Sequence, residues 1–208
     1  MDRIPETGHF LPFADGGSPA GYRGSCAVVD NMAGRSPRAL NHSSMPLSFR
    51  LALPQDIASC IDIRGRTREN AVPAVRLAEL GITEASWSGQ VRQGELLGFV
   101  AEDEAALVGY CFGDVATGEI VVLALLPTHE GRGLGRQLLT MTVDHLNLLG
   151  HSRLFLGCSD DPSHRSYGFY RRLGWLPTGE RDDFGDEVLE LEILDLAAAN
   201  RHPYSQSP

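Results

Sequence analysis

The stretch Glu119-Ile-Val-Val-Leu-Ala-Leu-Leu-Pro127-Thr-His-Glu130-Gly131-Arg132-Gly133-Leu134-Gly135-Arg136-Gln137-Leu-Leu constrains the fold more than any other part of the chain. Its unbroken apolar run reads as a buried strand. Pro127 stops that strand, the glycines at 131, 133 and 135 form a turn, and an apolar-periodic segment then opens a helix. Such a turn aims backbone amides outward at the positive end of a helix dipole, which makes an anion site suited to phosphate. Glycine allows positive φ there and lets a ligand approach the main chain.

The glycine spacing excludes two common phosphate sites. A dinucleotide fingerprint needs G-x-G-x-x-G, but its third glycine would fall on Arg136 or Leu138. A P-loop needs G-K-[ST], and the turn has none. What remains is Glu130-x-x-Gly133-x-Gly135 between a strand and a helix. Downstream stands Tyr167-Gly-Phe-Tyr170-Arg-Arg-Leu-Gly174-Trp175, preceded by Ser163 and Ser166. Together these segments resemble motifs A and B of the GNAT superfamily of N-acetyltransferases. Motif A is usually written Q/R-x-x-G-x-G/A; its glycines match, and Glu130 departs from its first position. In motif B, Tyr170 and Gly174 keep the family spacing, Trp175 replaces Phe, and Ser163 and Ser166 stand where Asn and Ala are usual. The resemblance covers roughly residues 47–195. It implies one α/β domain of the α+β type, with a mixed, mostly antiparallel sheet and helices on both faces.

The 208 residues carry a formal charge of −9, which argues against nucleic acid as a partner. A negative field favours a cationic amine weakly, and acidic proteins are also commonly just soluble. Cysteines at 26, 60, 111 and 158 form no C-x-x-C pair, so zinc and dithiol chemistry have no support and no metal is expected. Cys111 and Cys158 lie in apolar runs and read as core thiols, which suits a reducing cytoplasm. No apolar run approaches the roughly 20 residues that span a bilayer, and the N-terminus does not read as a signal peptide. No membrane partner is expected.

Residues 1–44 are rich in Gly, Pro and Ser and read as a disordered extension, with a natural start at Met45 as one expectation. The folded domain is expected over 45–196 and a frayed tail over 197–208. Strands are expected at 48–53, 97–102, 107–114, 119–126, 153–158 and 187–194. Helices are expected from Pro54 onward, over 74–80, over 83–93, over 133–149 and from Ser163 to about Leu173. In the 133–149 helix, Leu138, Leu139, Thr142, Leu146 and Leu149 form one apolar stripe.

The resemblance also implies chemistry: direct transfer of acetyl from acetyl-CoA to a primary amine in a ternary complex. Glu119, eleven residues before Glu130, stands where one branch of the family keeps a catalytic Glu. A partly desolvated carboxylate there would accept the amine proton through water. The alternatives are a solvated Glu at a strand start, Asp114 as base, or bulk water. Tyr170 occupies the family position that faces the CoA sulfur and is the candidate acid; Tyr167, one turn earlier, does not keep that spacing. Gly131, Arg132, Gly133, Leu134, Gly135 and Arg136 should cradle the pyrophosphate, chiefly by backbone N–H. Leu125 should offer its main chain to pantetheine where the fourth strand splays from the fifth. Glu130 beside a pyrophosphate is unfavourable unless its side chain points away. The acceptor is expected to be a small amine, an amino-acid derivative or a protein N-terminus, and the resemblance allows a homodimer. A non-catalytic CoA-binding regulatory module stays open as the alternative.

Overall fold

The computed structural model describes residues 47–193. The expectations for 1–44 and for the tail from 197 lie outside the described residues. Fourteen elements follow one another. The first half holds β1 (Ser48–Leu51), a 3-10 turn (Pro54–Asp56), α1 (Ile57–Gly65), α2 (Ala74–Glu79), α3 (Glu84–Gln93), β2 (Leu96–Asp103) and β3 (Ala106–Asp114). The second half holds β4 (Ile120–Leu125), a 3-10 turn (Pro127–His129), α4 (Leu134–Leu148), β5 (Arg153–Cys158), α5 (Arg165–Arg172), β6 (Leu176–Arg181) and β7 (Glu187–Glu192). Among the described residues, no helix is long and apolar enough to cross a membrane.

The strands form two antiparallel sheets, β1-β2-β3-β4 and β5-β7-β6. Their meeting point is a single parallel bridge, Glu119 to Phe155, where the Phe155 N–H donates to the Gly118 carbonyl at 3.3 Å. Helices cover both faces of the first sheet, so β3 is buried from Val108 to Gly113 and loses the alternation of a half-exposed strand. Its side chains still divide by the strand period of two. Tyr110 and Phe112 join Ile57, Cys60, Ile63 and Trp87 from α1 and α3. Cys111 turns the other way and joins Leu138, Leu139 and Leu146 from α4, with Leu154, Leu156, Trp175 and Leu189 beyond.

The start of α1 is pinned by charge. Arg50 on β1 donates to Asp56 at 2.6 and 2.9 Å and to Glu102 on β2 at 2.7 Å. Asp56 is only 5% exposed. Burial pushes its carboxyl up, but the Arg50 fork and the Leu53 N–H outweigh that and hold it below the usual carboxylate range.

Two sequence expectations need correction. Leu149 does not complete the apolar stripe of α4; the helix ends at Leu148 and Leu149 is 51% exposed. α5 starts at Arg165, behind an N-cap at His164, rather than at Ser163, whose N–H donates to Asp161 Oδ1 at 2.8 Å. The edge strand β6 was not anticipated at all.

Candidate functional site

The functional geometry begins at the outer edge of β4. Leu126 N–H donates to Val108 O at 2.9 Å, and Leu125 pairs with Gly109, Ala124 with Tyr110 and Leu123 with Cys111. By the antiparallel alternation, Leu123 and Leu125 therefore turn their N–H and C=O away from β3, towards β5. Beyond the Glu119–Phe155 bridge no ladder joins β4 to β5 among the described residues. A cleft opens between the sheets, walled on one side by unpaired backbone. Leu125 stands on this edge, beyond the bridge.

At the wide end of this cleft the turn has the conformation its glycines imply. Gly131 and Gly133 adopt φ of 75° and 84°, and a Cβ at either would meet nothing within 4 Å. Gly133 is the N-cap of α4 and carries no side-chain cap, so the first amides of the helix face open space. Leu134 is buried at 2% exposure and anchors the helix start. Gly135 is ordinary helix, and its role is close packing: a Cβ there would lie 3.4 Å from Leu125 Cδ1.

The charged neighbours of the turn behave differently from one another. Arg132 donates to Asp103 at 3.1 Å, and His129 contacts the same oxygen at 3.2 Å. Arg132 first, then His129, hold the Asp103 carboxyl below its ordinary range. Arg136 is exposed and forms no ion pair among the described residues. Glu130 neither points into solvent nor stands alone. Arg68, from the segment between α1 and α2, donates to it at 2.8 Å, and Arg165, at the start of α5, binds the same oxygen. Glu69 accepts the Arg165 backbone N–H at 3.0 Å. The expected repulsion from a bare carboxylate is thus met by two guanidiniums.

Glu119 stands at the closed end of the cleft. Desolvation, then Asp114, then Asp182 raise its carboxyl above the usual range. Glu119 is nevertheless exposed by its accessible surface, so water screens the shift and limits its size. Asp114, the second candidate base, is committed elsewhere: its Oδ1 accepts from the N–H of Ala116 and Thr117 and from the Thr117 hydroxyl. It builds the turn that delivers Glu119.

Tyr170 is gripped edge-on by Phe169 at 5.1 Å and Trp175 at 6.2 Å. Burial is the main force raising its phenol, followed by Cys111 on β3 and Cys158 on β5; Arg64 on α1 pulls the other way. Tyr170 packs against the core cluster that contains both Cys111 of β3 and Cys158 of β5. A phenol raised this far stays protonated and is a donor. Tyr167 lies instead under the Arg171 guanidinium at 3.7 Å, and Arg171 is paired with Glu187, so it serves packing. The Cys111 thiol is pushed up to about 12 by burial and is inert.

Three residues around the site escaped the sequence reading: Arg68 and Arg165, which meet at Glu130, and Arg64, whose charge interrupts the buried stripe of α1 four residues after Cys60. A shallow groove lined by Ser59, Asp62, Arg66 and Leu107 lies between α1 and the β2–β3 turn and shares no residue with the cleft.

With this geometry in place, the comparisons are specific. Residues 61–175 match the family model described as Acetyltransferase (GNAT) family. Mycothiol acetyltransferase of Beutenbergia cavernae is 34% identical over 106 residues, covering 46% of this chain and 35% of that protein. The chain spans about a third of that curated relative. Two solved structures share the fold. The PaiA N-acetyltransferase of Thermoplasma acidophilum, in complex with coenzyme A, has a TM-score of 0.54 at 17% identity, covering 71% of this chain and 99% of its own. An N-acetyltransferase of Staphylococcus aureus Mu50 has a TM-score of 0.58 at 16% identity, with coverage of 71% and 99%.

Proposed function

The chain belongs to the acetyltransferase (GNAT) family, and from that premise we propose that it moves the acetyl group of acetyl-CoA directly to a primary amine. The observation that carries this reading is the splayed edge: unpaired β4 backbone beyond the Glu119–Phe155 bridge leads to the uncapped start of α4. The residues present suit the cosubstrate. Open space over Gly131 and Gly133 leaves room for phosphates against the amides, and the edge at Leu123 and Leu125 offers main-chain donors and acceptors to an amide-bearing arm. Acetyl-CoA, when bound, supplies an activated thioester and a thiol leaving group.

The chain's own residues then divide the proton work. Glu119, raised by desolvation and by Asp114 and Asp182, takes the ammonium proton, directly or through water. Tyr170 holds a proton for the departing sulfur. The Leu123 and Leu125 main chain orients the thioester arm, which turns a three-body encounter into a positioned one.

The test is acetyl-CoA-dependent thiol release against a panel of amines, with Tyr170→Phe alongside. Turnover is expected with at least one amine class. A fall of about 10²-fold or more in kcat for Tyr170→Phe, with unchanged acetyl-CoA affinity, is the expected signature of a lost acid. Acetyl-CoA binding without turnover of any amine would favour a regulatory binding module instead.

A further inference from the structure

The Glu119 carboxylate forms no hydrogen bond or ion pair among the described residues, so it is aimed by the main chain beneath it. That main chain is a tight turn. The Glu119 N–H donates to Thr117 Oγ1 at 3.2 Å, and its carbonyl accepts from the Asp114 N–H at 2.8 Å. The Gly118 N–H closes the turn onto the Asp114 carbonyl at 3.0 Å. Whatever fixes this turn fixes the proposed base.

His151 reaches the turn from outside it. The residue lies in the loop between α4 and β5, and its Nε2 stands 2.8 Å from the Val115 carbonyl. A carbonyl only accepts, so the ring carries its proton on Nε2. The opposite edge of the same ring covers Gly118: a Cβ at that glycine would lie 2.8 Å from His151 Nδ1 and 3.2 Å from Cγ. Gly118 also holds φ at 79°, so it is glycine twice over, once for its backbone and once to make room for the imidazole. The main chain of His151 is itself anchored. Its N–H donates to the carbonyl of Leu146 at 3.2 Å, and Leu146 is fully buried in the last turn of α4. The imidazole thus joins the end of α4 to the residue before Glu119, the same glycine whose carbonyl receives the Phe155 N–H from β5.

We propose that His151 is a positioning residue for acetyl transfer: it clamps the β3–β4 turn at Val115 and Gly118 and so sets where Glu119 presents its carboxylate. The proposal rests on the reading of Glu119 as the base. A base acts only within hydrogen-bond reach of its proton, and a displacement near 1 Å can cost about 10²-fold. The clamp has two separable parts. The Nε2–H holds the Val115 carbonyl, and the ring fills the space that Gly118 leaves free. A neutral ring does both.

The experiment follows thiol release in full-length protein with the amine that the panel above turns over fastest. His151→Phe keeps a ring against Gly118 and removes the donor. It should lower kcat about tenfold, with KM for the amine and acetyl-CoA affinity by calorimetry unchanged within about twofold. His151→Gln, whose amide nitrogen stands near the Nε2 position, should recover most of that loss. In a Glu119→Gln background, His151→Phe should cost nothing further, because the clamp acts through the carboxylate. A merely structural histidine would not give that coupling.

A wild-type kcat in His151→Phe would overturn the proposal and leave Glu119 as the base. So would an undiminished loss in the Glu119→Gln background, or a fall in acetyl-CoA affinity that parallels kcat. A wild-type rate in Glu119→Gln would instead sink the base reading, and absence of turnover with every amine would sink the transfer reading; His151 loses its role in both cases. If His151→Phe does not fold, His151→Gln and His151→Asn carry the test. The longer amide reaches the Val115 carbonyl and the shorter does not, so the Gln variant should be several-fold faster, and equal rates would overturn the clamp.

Discussion

Glu119 stands just before β4 and Glu130 just after the 3-10 turn that follows it, eleven residues apart, and the chain treats them in opposite ways. Glu119 is exposed, its carboxyl is raised by desolvation and by the like charges of Asp114 and Asp182, and it pairs with no cation among the described residues. Glu130 is 18% exposed at its side chain and receives two arginines from elements remote in sequence. One carboxylate is left uncomfortable when ionised, which is the condition for a base. The other is neutralised in place beside the glycine turn, so it would not repel a phosphate bound as proposed there. The lesson is that residue identity at a motif position says little until its counter-ions are known. Glu130, read alone, is a defect in motif A; read with Arg68 and Arg165, it is the centre of a tie between three segments.

Glu119→Gln should break this comparison most. If Glu119 takes the amine proton, kcat/KM falls by about 10²- to 10⁴-fold, the range of general-base catalysis. The pH profile gives the sharper readout. In the wild type, activity should rise with pH through a limb displaced upward from an ordinary Glu, because desolvation and two neighbouring acids raise it. The variant should lose that limb. A wild-type-like rate and profile would hand the role to bulk water.

Glu130→Gln should have a smaller effect, in the opposite direction. Removing its charge leaves Arg68 and Arg165 facing the turn without a carboxylate at that oxygen. Acetyl-CoA affinity should tighten about three- to tenfold at low salt, and the gain should shrink as the Debye length contracts to about 8 Å at physiological ionic strength. Isothermal titration at two salt concentrations measures both. Weaker binding would mean that the arginine tie shapes the turn, and that its geometry matters more than its charge.

Legibility in the sequence divided along the same line. The strand–turn–helix was readable because apolar runs, Pro127 and positive-φ glycines are local signals, and β5 was bounded correctly at Arg153–Cys158 for the same reason. The β6 strand was not, because it is an exposed edge interrupted by Pro177 and Gly179, with no apolar alternation to betray it. Leu149 was misassigned by extending a true period one step past the helix end. Of the candidate site, the residues on contiguous motifs were in view. The pairs that bring Arg68 and Arg165 to Glu130 span 62 and 35 positions, and no periodicity reports such contacts. Arg64 was the exception, since a lone cation on a buried stripe is visible to anyone who asks what neutralises it.

The smallest effects give the cleanest contrast, because both substitutions are Glu→Gln and differ only in surroundings. For Glu119 the folded state favours the protonated carboxyl. That contribution is complete below the unfolded value of about 4.3 and is lost as pH rises through the elevated folded value. At neutral pH the wild type has therefore lost it, while Gln never ionises. Glu119→Gln should stabilise the protein at pH 7, by at most ~0.5 kcal/mol because the residue is exposed and water screens its charge. Its advantage should vanish near pH 4. Glu130→Gln loses charge-assisted bonds to two half-exposed arginines and should destabilise by about 0.5–1 kcal/mol, less at high salt. Urea melts of the two variants at pH 7 and pH 4 read both signs. Destabilisation by both would mean that Glu119 has a cation partner in solution, and its assignment as a base would then lose its electrostatic support.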